Sequence, residues 1–416
     1  MPDSAEIPAA FVGIDWADRK HDIHVHPADG SAATHEEIEA KSDAIQDWIL
    51  KMRAQFAGEG RKVLVCLEQS KGALIYQLMG YDFFVLYPIN PKTLASFREA
   101  FRPSGAKGDV SDADLLCELG RLHRHRLQPW RPDDEQTRKL DGFCQKRRQA
   151  VQTEVRLVQQ LRAVLKTYYP LPLETLEMNT VLACDFLLRW TTLEDLRRVK
   201  AQTIRKFFYA HNYRRGDKLE AFLEKLSSAV IVTSDQAIIE PAALHVRLLV
   251  AQLRVVLLAI PQFDQRIAEL LGAHPDAPIF QSFPGAGPRL APRLLTAFGT
   301  DRTRFENAGQ VSLISGIAPI RIASGKSSLT SFRWACPKYL RQSFHEFAGC
   351  SLPHCAWARA FYDAQRARNK KHHTALRALA FKWIRILFAC WKNHTPYQDS
   401  LYLEQLQRHG STLTGE

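Results

Sequence analysis

The chain has 416 residues, 46% hydrophobic and 24% charged, which suits an ordinary globular protein with two or three cores. No apolar run reads as long enough to cross a bilayer; the best stretch, Val246 to Ile260, is broken by Arg247, Gln252 and Arg254. The 56 Lys and Arg exceed the 44 Asp and Glu by 12, and the segment from Gln281 to Glu416 holds 19 basic and 7 acidic residues. That leaves 37 of each sign in the rest of the chain. All the net charge therefore sits in the last third, where a polyanion such as a phosphate backbone is the expected partner.

The N-terminus, MPDSAEIPAAFVGID, has no basic segment followed by an apolar core, so no signal peptide is expected. Eight scattered cysteines form no CxxC pair and read as reduced thiols of a cytoplasmic protein. Phe11 to His26 reads as a strand, a turn and an alternating strand, with a hairpin turn at Asp29-Gly30. Ser42 to Phe56 has helical periodicity, Lys62 to Glu68 is a short buried strand, and Ala73 to Met79 fits a helix. Phe83 to Ile89 is another buried strand, Pro91 opens a helix, and Asp109 to Leu122 is a further helix. Alternating strands and helices predict an α/β layer on one sheet.

From about Asp133 the pattern is helical. Leu140 to Tyr169 is long and charged, and it stops at Pro170-Leu171-Pro172; Phe186 to Leu226 holds shorter helices. Pro241 to Leu271 is a second long helix with a kink expected at Pro261, so the region reads as a helical insert or antiparallel coiled coil, with a plain helical bundle or an oligomer-forming arm, its heptads not clean, as the alternatives. A last, mainly helical domain starts near Phe280, and the tail after Gly410 is polar. The expected divisions are 1–130, 131–278, 279–400 and 401–416.

Four carboxylates carry the chemistry of the first part. Asp15 ends the first strand and Glu68 ends a buried one, where a carboxylate is costly without a partner. Asp109 and Asp112 are three apart at a helix start and share a face. Each acid alone could be a cap or a surface charge. Together they suit Mg²⁺, which prefers hard oxygen ligands; two ions could hold the attacking and leaving oxygens of an in-line phosphoryl displacement. His21, His24 and His26 suggest zinc, but no second His or Cys cluster completes a tetrahedral set.

The basic third offers anion contacts. Gly285 and Gly287, in FPGAG before a helix, allow backbone N–H groups to approach a phosphate, although a tight interhelical turn reads the same way. Ser324-Gly325-Lys326 places a hydroxyl beside a glycine and a cation, with Arg321 and Arg333 near in sequence. Taken alone, these serines read as loop residues, and Ser327 and Ser328 are alternatives. Ile320 stands where a P-loop's first glycine belongs, which excludes that motif. Arg366, Arg368, Lys370 and Lys371 are phosphate-contact candidates or a solvated helix face.

These segments together resemble the insertion-sequence-110 family of transposases, the group with a DEDD motif. VGIDWADRKHDI resembles its first motif, LEQSKG the second, and NPKTLASFREAFRPSGAKGDVSDADLL the third. FPGAGPRLAPRLLTAFG, FENAGQVSLISGIAPIRIASGKS and HHTALRALAFKWIRILFACW resemble its C-terminal domain. The third motif departs from the common K-T-D-R-I-D-A pattern, reading Lys107-Gly108-Asp109-Val110-Ser111-Asp112-Ala113. The acids and Lys107, a further nucleic-acid-contact candidate, persist.

The resemblance implies a RuvC/RNase H-like N-terminal domain, a coiled-coil insert and a C-terminal transposase domain. It further implies Asp15, Glu68, Asp109 and Asp112 as Mg²⁺ ligands and Ser324 as a nucleophile forming a phosphoserine link to DNA. Donor and target DNA, a bridge RNA, and a dimer or tetramer with composite sites follow from the same likeness, as does a prokaryotic, nucleoid-associated location. A RuvC-like nuclease that hydrolyses DNA junctions with an activated water, and a non-catalytic nucleic-acid-binding protein, are the alternatives.

Overall fold

The computed structural model describes residues 8–68, 72–101, 109–324 and 327–408, without the side chains of Glu59, Asp109, Val110, Ser111, Ser328 and Leu406. The chain divides between Pro132 and Asp133 into two compact units.

The first unit is built on five strands: β1 (Ala10–Asp15), β2 (Lys20–Pro27), β3 (Thr34–Glu39), β4 (Val63–Leu67) and β5 (Phe84–Pro88). Their order is β3-β2-β1-β4-β5; the first three are antiparallel, and β1, β4 and β5 run parallel. β4, VLVCL, is buried throughout, as a strand covered on both faces must be. β3, THEEIE, is an edge whose three glutamates discourage pairing with another strand. One sheet face holds Val12, Ile14, Val63 and Val65 beneath α1 (Ser42–Phe56) and α2 (Ala73–Leu78). The other holds Phe11, Leu64 and Cys66 against α3 (Pro91–Phe101) and α4 (Asp109–His123).

The second unit begins with α5 (Glu135–Tyr168), which ends before Pro170 as expected. Five shorter helices follow: α6 (Leu171–Thr175), α7 (Val181–Arg189), α8 (Leu193–Arg197), α9 (Ala201–Ala210) and α10 (Gly216–Ser228). The return helix, α11 (Gln236–Gly272), carries both Pro241 and Pro261 within it. α5 and α11 are packed together, and their far halves enclose a core of their own with α6 to α10, centred on Phe186, Phe208 and Phe222. Leu140, Cys144, Ile267 and Leu271, at their near ends, belong instead to the core of the C-terminal helices.

By length and composition α11 is apolar enough to cross a membrane, unlike the reading of its sequence in isolation. Here it is a bundle helix: Leu249, Val250 and Leu253 are buried, Arg247 donates to Thr191 and Arg254 to Asp185.

The C-terminal helices are α12 (Ala277–Gln281), α13 (Gly287–Phe298), α14 (Ala308–Ile314), α15 (Lys338–Ser351), α16 (Ala356–Ala367), α17 (His372–Lys392) and α18 (Asp399–Arg408). They close on Trp357, Trp383 and Trp391, all fully buried. Between α14 and α15 lies an element not expected from sequence, an antiparallel pair of β6 (Ile320–Ser324) and β7 (Ser327–Ser331).

Asp134 caps α5. Its carboxylate accepts from Thr137 N at 2.9 Å, Thr137 Oγ1 at 2.6 Å and Thr300 Oγ1 at 2.7 Å. Partial burial alone would raise its pKa, but these hydrogen bonds outweigh it and hold the group down at about 2. A depressed folded-state value means the stabilisation is full above the ordinary carboxylate value of 3.8 and lost as pH falls through about 2. Asp134→Ala is expected to cost about 1 kcal/mol near neutrality. The gap between native and variant urea midpoints should close as pH is lowered through that window.

Candidate catalytic acids and nucleic-acid contacts

In the first unit, Ile14 of β1 is in register with Leu67 of β4, so Asp15 and Glu68 are the next residues on two adjacent parallel strands. Side chains alternate along a strand, so Asp15 shares the sheet face of Phe11 and Gly13, and Glu68 that of Leu64 and Cys66. Both acids thus lie at carboxyl ends of strands on the face that α4 covers, the usual place for a site in an open α/β sheet.

α4 reaches that face because Gly13 has no side chain. A Cβ on Gly13 would lie 1.9 Å from Ala113 O and 2.4 Å from Cys117 N. Cys117 also donates its thiol to Phe11 O at 3.3 Å. Residues 113 to 117 of the helix therefore oppose 13 to 11 of the strand, and α4 runs antiparallel to β1. Its N-terminal turn, with Asp109 and Asp112, is carried toward the end of β1 where Asp15 lies.

Asp112 is buried, and Arg98 of α3 donates to its Oδ1 through Nε at 3.0 Å and Nη2 at 2.5 Å. Sequence reading missed Arg98; nothing local marks it as the partner of an acid fourteen residues on. Removing the guanidinium would leave a buried charge alone, at a cost of about 3–5 kcal/mol. The side chain of Asp109 lies outside the described residues, and so does Lys107.

Asp22, given no role on sequence, is directly opposite Asp15 in the β1–β2 register and bonds His35 at 3.3 Å. His24 pairs with Asp114 at 3.7 Å. Burial, the dominant effect, lowers the His21 and His24 pKa values below the usual histidine value. Among the described residues no three His, Cys, Asp or Glu side chains converge on one point. As a donor set, the four acids still fit a hard divalent cation: all are carboxylates, and three chain segments deliver them toward one end of the sheet.

In the second unit Gly285 has φ 78°, and a Cβ there would lie 2.2 Å from Cys350 O at the end of α15. Gly287, φ 53°, begins α13, and its bare α-carbon faces open space. α13 has no side-chain N-cap. The turn borders a cavity of about 590 Å³ that Arg147, Arg148, Arg289 and Arg293 line. Arg147 pairs with Asp264, and Arg293 with Glu346 at 2.5 Å. An uncapped helix start beside a surplus of guanidinium groups can receive an anion.

Ser324 is exposed at the end of β6 and faces Ser327 across the pair, so it is held on a strand; Ser327 Oγ donates to Ser324 O at 3.1 Å. Lys326 lies outside the described residues. Arg321 is exposed on β6, and Arg333 reaches Ala318 O at 3.4 Å. Arg366, Arg368, Lys370 and Lys371 are all exposed around the turn between α16 and α17, with Arg366 bonded to Lys370 O at 2.8 Å.

Residues 12–170 match a family model described as Transposase, of the IS110 DEDD kind, and residues 277–363 match one described as Transposase IS116/IS110/IS902 family. A protein of Streptomyces coelicolor, provisionally named the mini-circle transposase for IS117, is 26% identical over 402 residues, covering 94% of this chain and 95% of its own. The 43.6 kDa protein of insertion element IS110, from the same organism, is 25% identical over 94% of this chain and 96% of its own. The 42 kDa protein of insertion element IS900 from Mycobacterium paratuberculosis is 26% identical over 82% and 86% respectively.

Proposed function

The chain belongs to the IS110 family of transposases, and on that premise we propose that it cuts and rejoins DNA strands with an Mg²⁺-dependent acid site and a serine nucleophile. The observation that carries the acid half is the register of β1 and β4, with Asp15 and Glu68 ending neighbouring parallel strands under the acidic first turn of α4. The strand order β3-β2-β1-β4-β5 supports a RuvC/RNase H-like reading of this unit.

Asp15, Glu68, Asp109 and Asp112 would hold the metal, up to two ions, and the ions would supply positive charge to a phosphate under displacement. The protein's own part in the chemistry falls to Ser324. Its Oγ forms a bond to the scissile phosphorus as the bond to a DNA 3′ oxygen breaks; the serine proton is lost and the 3′ oxygen leaves as a hydroxyl. Attack by a DNA 3′-hydroxyl then reverses the link. The number of phosphoester bonds is unchanged, so no ATP is needed. Exposure at the end of a strand suits a hydroxyl that must meet a bulky duplex.

Donor and target DNA would be contacted by the Gly285–Gly287 turn, by Arg321, Lys326 and Arg333, by the basic turn from Arg366 to Lys371, and by Lys107. A bridge RNA would choose the sites. A homo-oligomer, dimer or tetramer, is supported by an exposed stripe on α11, where Leu244, Leu248, Ala251, Val255 and Leu258 follow the alternating three- and four-residue spacing of a coiled-coil seam. Val255→Glu is expected to lower the sedimentation-derived mass; an unchanged mass would remove α11 from the interface.

The deciding experiment incubates the chain, guide RNA and labelled DNA with Mg²⁺ and resolves the products on a denaturing gel. A DNA-linked protein whose attachment maps by peptide analysis to Ser324 is expected. Cleavage with no adduct at any time would instead identify a hydrolytic nuclease.

A further inference from the structure

Three residues beyond β7, Trp334 is 76% exposed, an unusual setting for the largest apolar side chain. Its ring meets Phe332 edge-on at 4.8 Å. Phe332 in turn is clasped by two guanidinium groups, Arg341 of α15 and Arg377 of α17, each 4.5 Å from the ring centroid. Cation–π contact with one ring explains why either cation could be there. It does not explain two of them. Arg341 otherwise bonds only neutral acceptors, Arg333 O and Cys336 Sγ, and among the described residues neither arginine has a carboxylate partner.

Imidazole rings extend from Arg377 toward the basic turn. His345, His372 and His373 form a chain of ring contacts beside Arg377, with centroids 5.4 and 4.9 Å apart. His373 and Arg377, four apart, share a helix face. Burial, helped by neighbouring positive groups, lowers the pKa of His345. One turn earlier come the exposed Lys370 and Lys371. A cationic track leads from the basic turn to an exposed aromatic platform, and this platform stands on the chain just past the strand that pairs with Ser324.

Like charges gathered without acids are costly unless an anion joins them, and an exposed indole beside them offers a flat apolar face. Strands with unpaired bases present the matching pair of features, phosphates along an edge and a free π-face. Duplex DNA keeps its bases stacked and offers no such face. We propose that Trp334 is the stacking seat for one unpaired nucleobase, whose flanking phosphates lie against Arg341, Arg377 and the Lys370–Lys371 track. The ligand is a single-stranded or locally opened nucleic acid, either displaced DNA or an RNA loop. This deepens the reading of the chain as a strand-exchanging protein but does not depend on the identity of its nucleophile.

The test is binding without Mg²⁺, so that no chemistry is read. Native chain, Trp334→Ala and Trp334→Phe are titrated with oligothymidylate DNA and oligouridylate RNA of about twelve nucleotides, and with duplex DNA of equal length. Anisotropy gives the affinity and indole fluorescence the stacking. Trp334→Ala is expected to weaken single-strand binding at least about fivefold, the low end for losing one base–aromatic stack, and to abolish part of the fluorescence quench. Trp334→Phe should keep most of the affinity, and duplex binding should not change. The larger loss, on DNA or on RNA, identifies the strand. Single-strand affinity within twofold of native, equal losses on duplex and single strand, or a changed oligomeric mass with unchanged affinity would each overturn the proposal. Failure to find a phosphoserine adduct would leave these outcomes intact.

Discussion

Ser324→Ala is expected to abolish the covalent protein–DNA species, lowering strand exchange by about 10³-fold or more, while DNA binding stays within about twofold. The first figure follows from removing a nucleophile outright, which leaves only positioning and electrostatic stabilisation of the phosphate. The second follows from the structure. Ser324 is exposed at a strand end, and the side-chain hydrogen bond it receives, from Ser327 Oγ, is accepted by its backbone carbonyl, which alanine keeps. Exposed substitutions of this kind shift stability by about 0.5 kcal/mol or less. A loss of adduct with a native urea midpoint would therefore report chemistry. An adduct that persists in Ser324→Ala and maps to Ser327 or Ser328 would move the nucleophile across the β6–β7 pair, and normal cleavage without adduct would favour the hydrolytic reading.

Gly13→Ala should have the largest effect in the first unit. The added Cβ would lie 1.9 Å from one backbone atom of α4 and 2.4 Å from another, and neither can rotate away. Restoring an ordinary contact requires α4 to retreat from β1 by about 1.5 Å. Overpacking of this sort costs about 1–3 kcal/mol, and a backbone clash belongs at the upper end. The helix that retreats carries Asp109 and Asp112, whereas Asp15 stays on the strand. Misplacement of a catalytic group by about 1 Å can cost about 10²-fold. A lowered melting temperature together with a comparable fall in Mg²⁺-dependent cleavage is expected. Native melting and native cleavage in this variant would show that α4 does not hold the acids in place.

The sequence by itself determined where most elements begin and end. Helix α1 spans the residues its periodicity indicates, and α5 stops before Pro170, because caps, prolines and side-chain period act over a few residues. It also determined the charge division and the placing of four acids at element ends, since an acid closing an apolar run is visible in one dimension. The β6–β7 pair was obscured because its serines and glycine resemble a loop, although IRIAS alternates. Only the tertiary structure decided that β4, and not β5, adjoins β1, which makes Asp15 and Glu68 neighbours. It also decided that Gly13 is the seat of α4, that Arg98 neutralises Asp112, and that the near ends of α5 and α11 share the C-terminal core. Strand order, register and helix docking join residues far apart in the chain, and their energies come from contacts that no local pattern encodes.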